Sequence, residues 1–338
     1  MARSTLRSSL VGALALGLAA CGSTTADTAP DARPSPSRTR TAATTPAKTT
    51  AYATRQQAKF LADGADGMVA LAGALWVKTD LGHVVRIDPR TNKITADIVV
   101  DKYTGQSFYC QGIGAVRDAV WACKTRSDGI GVVRIDPSTG RVTRLVKVGK
   151  VFDQLALPST SRGIWVLTDD GNSVSVVDPA SGRVSTFPLR VRCQQLAAHG
   201  DRVVATAVAG SVVVLDAQSG AVVDRLSVNT PRMAAVVGDD IWVETADGLT
   251  RFSEDLRTRT VYPGMSAGQG GDVFSDQESV WLRESDGTIF RIDADSGKVL
   301  ERIVPSPAVS AGSLVVAYGS IWTTGSEEGW VIRLSEDG

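Results

Sequence analysis

Residues able to do chemistry are few in this 338-residue chain. Histidine occurs twice, at His83 and His199, and cysteine four times, at Cys21, Cys110, Cys123 and Cys193. No CxxC pair and no Cys/His ligand spacing is present, so no metal site is encoded in that form. Neither a GxxxxGK run ending in Ser or Thr nor a GxGxxG turn opening a helix occurs, so nucleotide binding is not indicated. Lysine plus arginine number 36 and aspartate plus glutamate 36. That balance removes the cationic surface a polybasic nucleic-acid binder needs. What remains is a set of polar residues: Asp66, Gln111, Asp153, Gln154, Gln194, Gln195, Arg232 and Asp272. Phe108, Tyr109, Phe152 and Phe274 stand beside several of them. Carboxylates, amides and a guanidinium next to aromatics suit a polar or sugar-like ligand, provided the fold brings them together. Three carboxylates from separate segments could also hold a cation such as calcium.

The elements that must position these groups repeat along the chain. Trp76, Trp121, Trp165, Trp242, Trp281 and Trp322 each follow an aliphatic residue inside a short apolar run, and Val204 holds the same place in a seventh copy. A glycine follows each within eight residues: Gly82, Gly129, Gly171, Gly210, Gly248, Gly287 and Gly329. Several sit in Asp-Gly pairs, because glycine takes positive φ without strain and closes a hairpin. An alternating run such as Val84-Val85-Arg86-Ile87-Asp88 comes next, and then an Asp-Pro-x-Thr/Ser-Gly/Asn turn at residues 88–92, 136–140 and 178–182. Proline presets φ there, and the aspartate bonds back to the backbone. Asp216 and Asp293 keep this frame without proline, whereas Ser253 and Ser335 replace the aspartate. Seven copies of short strands with no helical periodicity predict an all-β, seven-bladed β-propeller. An open β-solenoid is the alternative, and the chain ends favour closure. The last copy stops after three strands, and the stretch Arg55–Leu61 is placed to supply its fourth. The tryptophans then belong to the core between blades.

The pattern of Trp, alternating strand, Arg-Ile-Asp-Pro and Thr-Gly resembles the YVTN-type propeller repeats, relatives of the NHL and pyrroloquinoline-quinone-type repeats, over roughly residues 55–338. The resemblance implies architecture and carries little about activity. In a propeller, ligands gather on the face where first strands enter the channel, and the polar residues named above occupy those positions. Cys110 enters the first strand of the second blade and Cys123 lies on its second strand. A hairpin turning near Arg117 and Asp118 brings the two within about one residue pair of each other, so a disulfide is expected. It would close a short loop in an oxidising compartment. Cys193 takes the place of Cys110 two blades on, leaving a Cys110–Cys193 bond as the alternative; the odd cysteine is then a buried thiol. His83 and His199 fall on turns at opposite faces, which disfavours a Ser-His-Asp triad or a His-rich metal site. Virginiamycin B lyase, a seven-bladed relative, uses a histidine base. His83 would have to take that role here, without any accompanying motif.

The N-terminus gives an address. Arg3 and Arg7 precede the apolar run Leu10–Ala20, too short to cross a hydrocarbon core of about 30 Å. The run ends Leu18-Ala19-Ala20-Cys21, which resembles the bacterial lipobox. That resemblance implies a signal peptide over residues 1–20, cleavage before Cys21, and acylation of Cys21, with palmitate for example. Two or more acyl chains would anchor the protein at the extracytoplasmic face of the membrane. Of residues 22–54, 25 are Thr, Ala, Pro or Ser, so residues 21–54 are expected to be a lipidated cysteine and a disordered linker. The expected product is a monomeric cell-envelope lipoprotein. Its propeller binds a protein or a small polar ligand without catalysis, a cofactor or nucleic acid. The alternative is an extracytoplasmic enzyme working at the channel: a lyase, a hydrolase or a quinone-dependent dehydrogenase.

Overall fold

The structure, a computed structural model, describes residues 38–101, 110–125 and 130–337. The expected signal peptide over residues 1–20, Cys21, Phe108 and Tyr109 lie outside the described residues. Seven antiparallel sheets form the blades, each starting from its innermost strand. Blade 1 is Ala65–Leu71, Ala74–Thr79, His83–Asp88 and Lys93–Val99. Blade 2 is Ile113–Val116, Ala119–Lys124, Gly131–Asp136 and Arg141–Val146, and blade 3 is Ser159–Thr160, Gly163–Thr168, Ser173–Val177 and Val184–Pro188. Blade 4 is Cys193–His199, Arg202–Ala207, Ser211–Asp216 and Val222–Ser227. Blade 5 is Ala234–Val237, Asp240–Thr245, Gly248–Phe252 and Thr258–Tyr262, and blade 6 is Asp272–Ser275, Ser279–Arg283, Ile289–Asp293 and Val299–Val304. Blade 7 takes Leu314–Ala317, Ser320–Gly325 and Trp330–Ser335 from the end of the chain and Gln56–Leu61 from its beginning. The N-terminal strand pairs antiparallel with Trp330–Ser335, so the ring closes as the strand count predicts.

The repeat motif now has a physical reading. The six repeat tryptophans, Trp76, Trp121, Trp165, Trp242, Trp281 and Trp322, are fully buried, each on the second strand of its blade. Except in blade 3, where Trp165 faces Val176, an arginine of the third strand lies directly opposite in register, as in Trp76↔Arg86, Trp281↔Arg291 and Trp322↔Arg333. Its guanidinium covers the indole, 5.0 Å from the ring centroid for Arg291 and Arg333, a cation–π contact between cross-strand neighbours. Several arginines also tie a blade to the turn of the next, through Arg144 to the Ala180 carbonyl, Arg162 to Gln218 and Arg251 to Asp295. The turn aspartates accept backbone N–H groups two and three residues on. Asp178, for example, binds Ala180 N at 2.9 Å and Ser181 N at 2.7 Å. These bonds hold the Asp178 carboxyl below its ordinary range.

The second half of the expected disordered linker is ordered instead. Arg38–Thr41 runs parallel to Thr258–Tyr262 as a fifth strand on blade 5, and Lys48–Ala51 runs parallel to Val299–Val304 on blade 6. A helical turn, Tyr52–Arg55, follows. Composition predicted disorder because the segment has almost no apolar surface of its own. A strand added to an open sheet edge needs none, since its backbone groups find partners in the edge, and threonine suits the pleat. Tyr52 is buried and its hydroxyl donates to the Gly287 carbonyl at 2.5 Å. Arg55 forks onto both Glu301 oxygens at 2.8 Å. Leu61, expected to cover apolar surface at the closure, remains 62% exposed, while Phe60 is half-buried. Closure therefore rests on the strand ladder, Tyr52 and the Arg55–Glu301 pair more than on the end of the strand. Among the described residues no helix is long and apolar enough to cross a membrane.

Candidate functional site

The site is built by one register position repeated around the ring. The residue two beyond the tryptophan position lies at or next to the end of the second strand, and in blades 4 to 7 it reaches the segment leading into the next blade. Thr206 Oγ1 donates to the Arg232 carbonyl at 2.6 Å. Glu244 Oε1 accepts from Gly268 N and Ser266 Oγ, both at 3.0 Å. The Arg283 guanidinium donates to the carbonyls of Ser310 and Thr324, and Thr324 Oγ1 donates to the Asp66 carbonyl. On blade 1 the same position is Lys78, fully buried, whose Nζ has no hydrogen-bond partner among the described residues. On blade 2 it is Cys123, bonded to Cys110 across 5.9 Å between Cα atoms, as the hairpin placement predicted. Cys193 is the buried free thiol, and burial pushes it up to about 12, so it is no nucleophile at neutral pH.

These lead-in segments surround a cavity of about 570 Å³ at the channel mouth. Its walls include Asp66, Gln111, Gln194, Gln195 and Arg232, five of the residues picked from the sequence. The structure adds Asp80, Gln269, Ser326 and Glu327 from other loops. On the side of blades 6 and 7 the wall is glycine backbone, from Gly268, Gly270, Gly271 and Gly312. Gly271 has no room for a side chain, since a Cβ there would lie 2.2 Å from the Ala267 carbonyl oxygen. At Gly312 it would lie 2.3 Å from that of Thr324.

The amides in the cavity are each fixed by one end. Gln111 Nε2 donates to Asp66 Oδ2 and, at 3.2 Å, to Asp80 Oδ1. Gln194 Nε2 donates to the Pro231 carbonyl at 2.6 Å, and Gln195 Oε1 accepts from Leu155 N at 3.0 Å. The other ends, Gln111 Oε1, Gln194 Oε1 and Gln195 Nε2, make no hydrogen bond among the described residues. Asp66 is almost wholly buried. Burial first, then the neighbouring Asp80, Asp153 and Asp272, raises its carboxyl well above the usual range. Asp80 and Asp153 are also raised, chiefly by burial, with bonds from Gln111 opposing the shift. Burial lowers the Lys78 ammonium to about 8.

Three sequence candidates do other work. Asp153 accepts from Gln111 N at 3.3 Å and stands beside the cavity without lining it. Gln154 is buried, its Oε1 accepting from Leu167 N at 3.1 Å, so it braces blade 3. Asp272 clips two blades together, accepting from Val273 N at 2.8 Å and Leu314 N at 3.0 Å. Phe152 and Phe274 turn into the packing between blades, so the described lining has no aromatic side chain. Among the described residues no three His, Cys, Asp or Glu side chains are grouped to hold a metal ion. His83 Nδ1 lies 2.7 Å from Asp97 Oδ1 at the start of a third strand, whereas His199 ends a first strand on the opposite face. The signal for the position two after each tryptophan was present in the sequence, as Lys78, Thr206, Glu244, Arg283 and Thr324. It becomes readable once the blade register is known.

No protein-family model matches this chain, and no curated protein matches it. The fold is similar to the WD40 domain of Pan2 from Neurospora crassa, with a TM-score of 0.66 at 15% identity over 84% of this chain and 95% of that one. It is also similar to the β-propeller domain of Cps50 (Swd1) from Myceliophteria thermophila, with a TM-score of 0.59 at 15% identity over 83% and 98% of the two chains. At that identity the likeness carries the propeller fold alone.

Proposed function

We propose that this chain is a membrane-anchored, extracytoplasmic lipoprotein whose propeller is a non-catalytic binding module, holding a small polar ligand or a polar segment of a protein at its channel mouth. One observation carries the binding reading. Gln111, Gln194 and Gln195 all line the same cavity, and each spends one end of its amide on the protein while the other makes no hydrogen bond among the described residues. Fixing an amide before the ligand arrives removes the ordering cost that a free side chain would bring to binding. The anchoring reading rests on the run from Leu10 to Cys21 and its likeness to the lipobox.

Thermal-shift screening of the mature protein against divalent cations, glycans and peptides tests the binding claim. A ligand at a hundred times its dissociation constant adds about 2.7 kcal/mol to stability, a shift of several degrees. The shift is expected to vanish when Gln111, Gln194 and Arg232 are replaced together by alanine. A hit that survives this triple change would place binding elsewhere. Anchoring is tested by Cys21→Ala, which is expected to release the protein from membranes; a mutant still wholly membrane-bound on fractionation would refute it.

A further inference from the structure

The cavity is electrically two-sided. Asp66 and Asp80 stand on blade 1, with Asp153 close behind them. Arg232 leads into blade 5, on the far side of a seven-membered ring, with 34% of its side chain exposed. Each pole is backed by a buried group of opposite sign. Behind the acidic pole is Lys78, electrostatically coupled to Asp80 and Asp153, with Nζ lacking a partner among the described residues. Behind Arg232 is Glu244, with Oε1 4.0 Å from the guanidinium and Oε2 lacking a partner among the described residues. A charge held from behind keeps its outer face toward the cavity. Lys78 is sealed away from the cavity, and Arg283 is committed to carbonyls, so among the described residues Asp66 and Asp80 have no exposed counter-charge in the cavity wall other than Arg232.

Between the poles run unspent hydrogen-bonding groups of both kinds, the acceptors Gln111 Oε1 and Gln194 Oε1 and the donor Gln195 Nε2. The facing wall of glycine backbone leaves room for an extended chain. A neutral glycan can hydrogen-bond to both charges but neutralises neither. A molecule with a cation at one end, an anion at the other and amides between them matches the acids of blade 1, Arg232 and the amide ends between them, with Glu327 of blade 7 as a further acid in the wall. Resting on the reading of the cavity as a ligand site, we propose that it binds a short zwitterionic peptide, with the terminal ammonium against the half-buried Asp80, beside Asp66, and the terminal carboxylate against Arg232. A volume of about 570 Å³ is in the range that takes drug-sized ligands, so a few residues fit.

Calorimetric titration of the full chain with tetra-alanine, N-acetyl-tetra-alanine and tetra-alanine amide tests this. The free peptide is expected to bind, and each cap to weaken binding by roughly tenfold or more. These three titrations use unaltered protein, so folding is not in question. Asp80→Asn should abolish the penalty of the acetyl cap while keeping that of the amide cap, and Arg232→Gln should do the reverse. Equal binding of the three peptides, or no saturable heat from the free peptide at millimolar concentration, overturns the proposal. A glycan or polyol that binds while the peptides do not would leave the cavity a ligand site, so the two readings fail separately.

Discussion

Asp272 shows how a residue chosen for one task can perform another. Its carboxylate is spent on two backbone N–H groups, and burial, only partly offset by those bonds, pushes it up to about 6. The folded value lies above the unfolded one, so its protonation favours the folded state. Its contribution is full below about pH 4 and is lost as pH rises through 6. Lowering pH from 7 to 5 should therefore raise stability on the order of 1 kcal/mol from this residue, with Asp66, Asp80 and Asp153 acting in the same direction. Denaturant titrations at the two pH values check this. In Asp272→Asn the slope over that window should shrink even though the protein is weaker overall. An unchanged slope would show that Asp272 does not carry it. At this scale the sequence revealed which polar residues reach the channel mouth, because they sit where first strands begin. Whether a side chain there faces cavity or backbone depends on the local bend, as for Gln154 beside Asp153, and residue type does not encode that bend.

Among elements, the N-terminal strap was the least legible. Thr-rich, proline-punctuated sequence has the composition of a linker, and what orders it lies some 220 to 280 residues away in edges it cannot advertise. The only local hints were Tyr52 and Arg55, both of which are buried. Arg55→Ala is expected to cost about 3 kcal/mol, since it leaves Glu301, in a site only 8% exposed, with the Thr50 hydroxyl and the surface Lys48 at 3.9 Å as its remaining partners. Replacing Glu301 by methionine in the same chain should recover part of that loss, because no charge is then left unpaired. Chemical denaturation of the single and double variants measures both. A loss in Arg55→Ala that the second change leaves intact would assign the effect to packing of the arginine stem instead. Residues 38–51 can be removed without touching Arg55. That truncation should cost less than Arg55→Ala, as it gives up edge hydrogen bonds that water largely replaces.

At the level of the whole molecule, the seven-fold repeat fixed blade number, blade order and closure, because a spacing of about forty residues admits few other architectures. Chains beginning at residues 38 and 63 should therefore differ sharply in melting temperature. The shorter one loses the fourth strand of blade 7, Tyr52 and Arg55, on the order of 5 kcal/mol or more. Equal melting of the two would mean that the ring does not depend on that strand. Closure by the first strand also sets a timetable. Leu61 and its strand partner Trp330 are 269 residues apart. At roughly 5–20 residues per second of synthesis, the strand Gln56–Leu61 waits tens of seconds for its partner to exist. A long apolar edge held open for that time would invite pairing with other chains. A segment rich in threonine, with Lys59 in the strand itself, is suited to the delay: the part made first and docked last is also the part safest to leave unfinished.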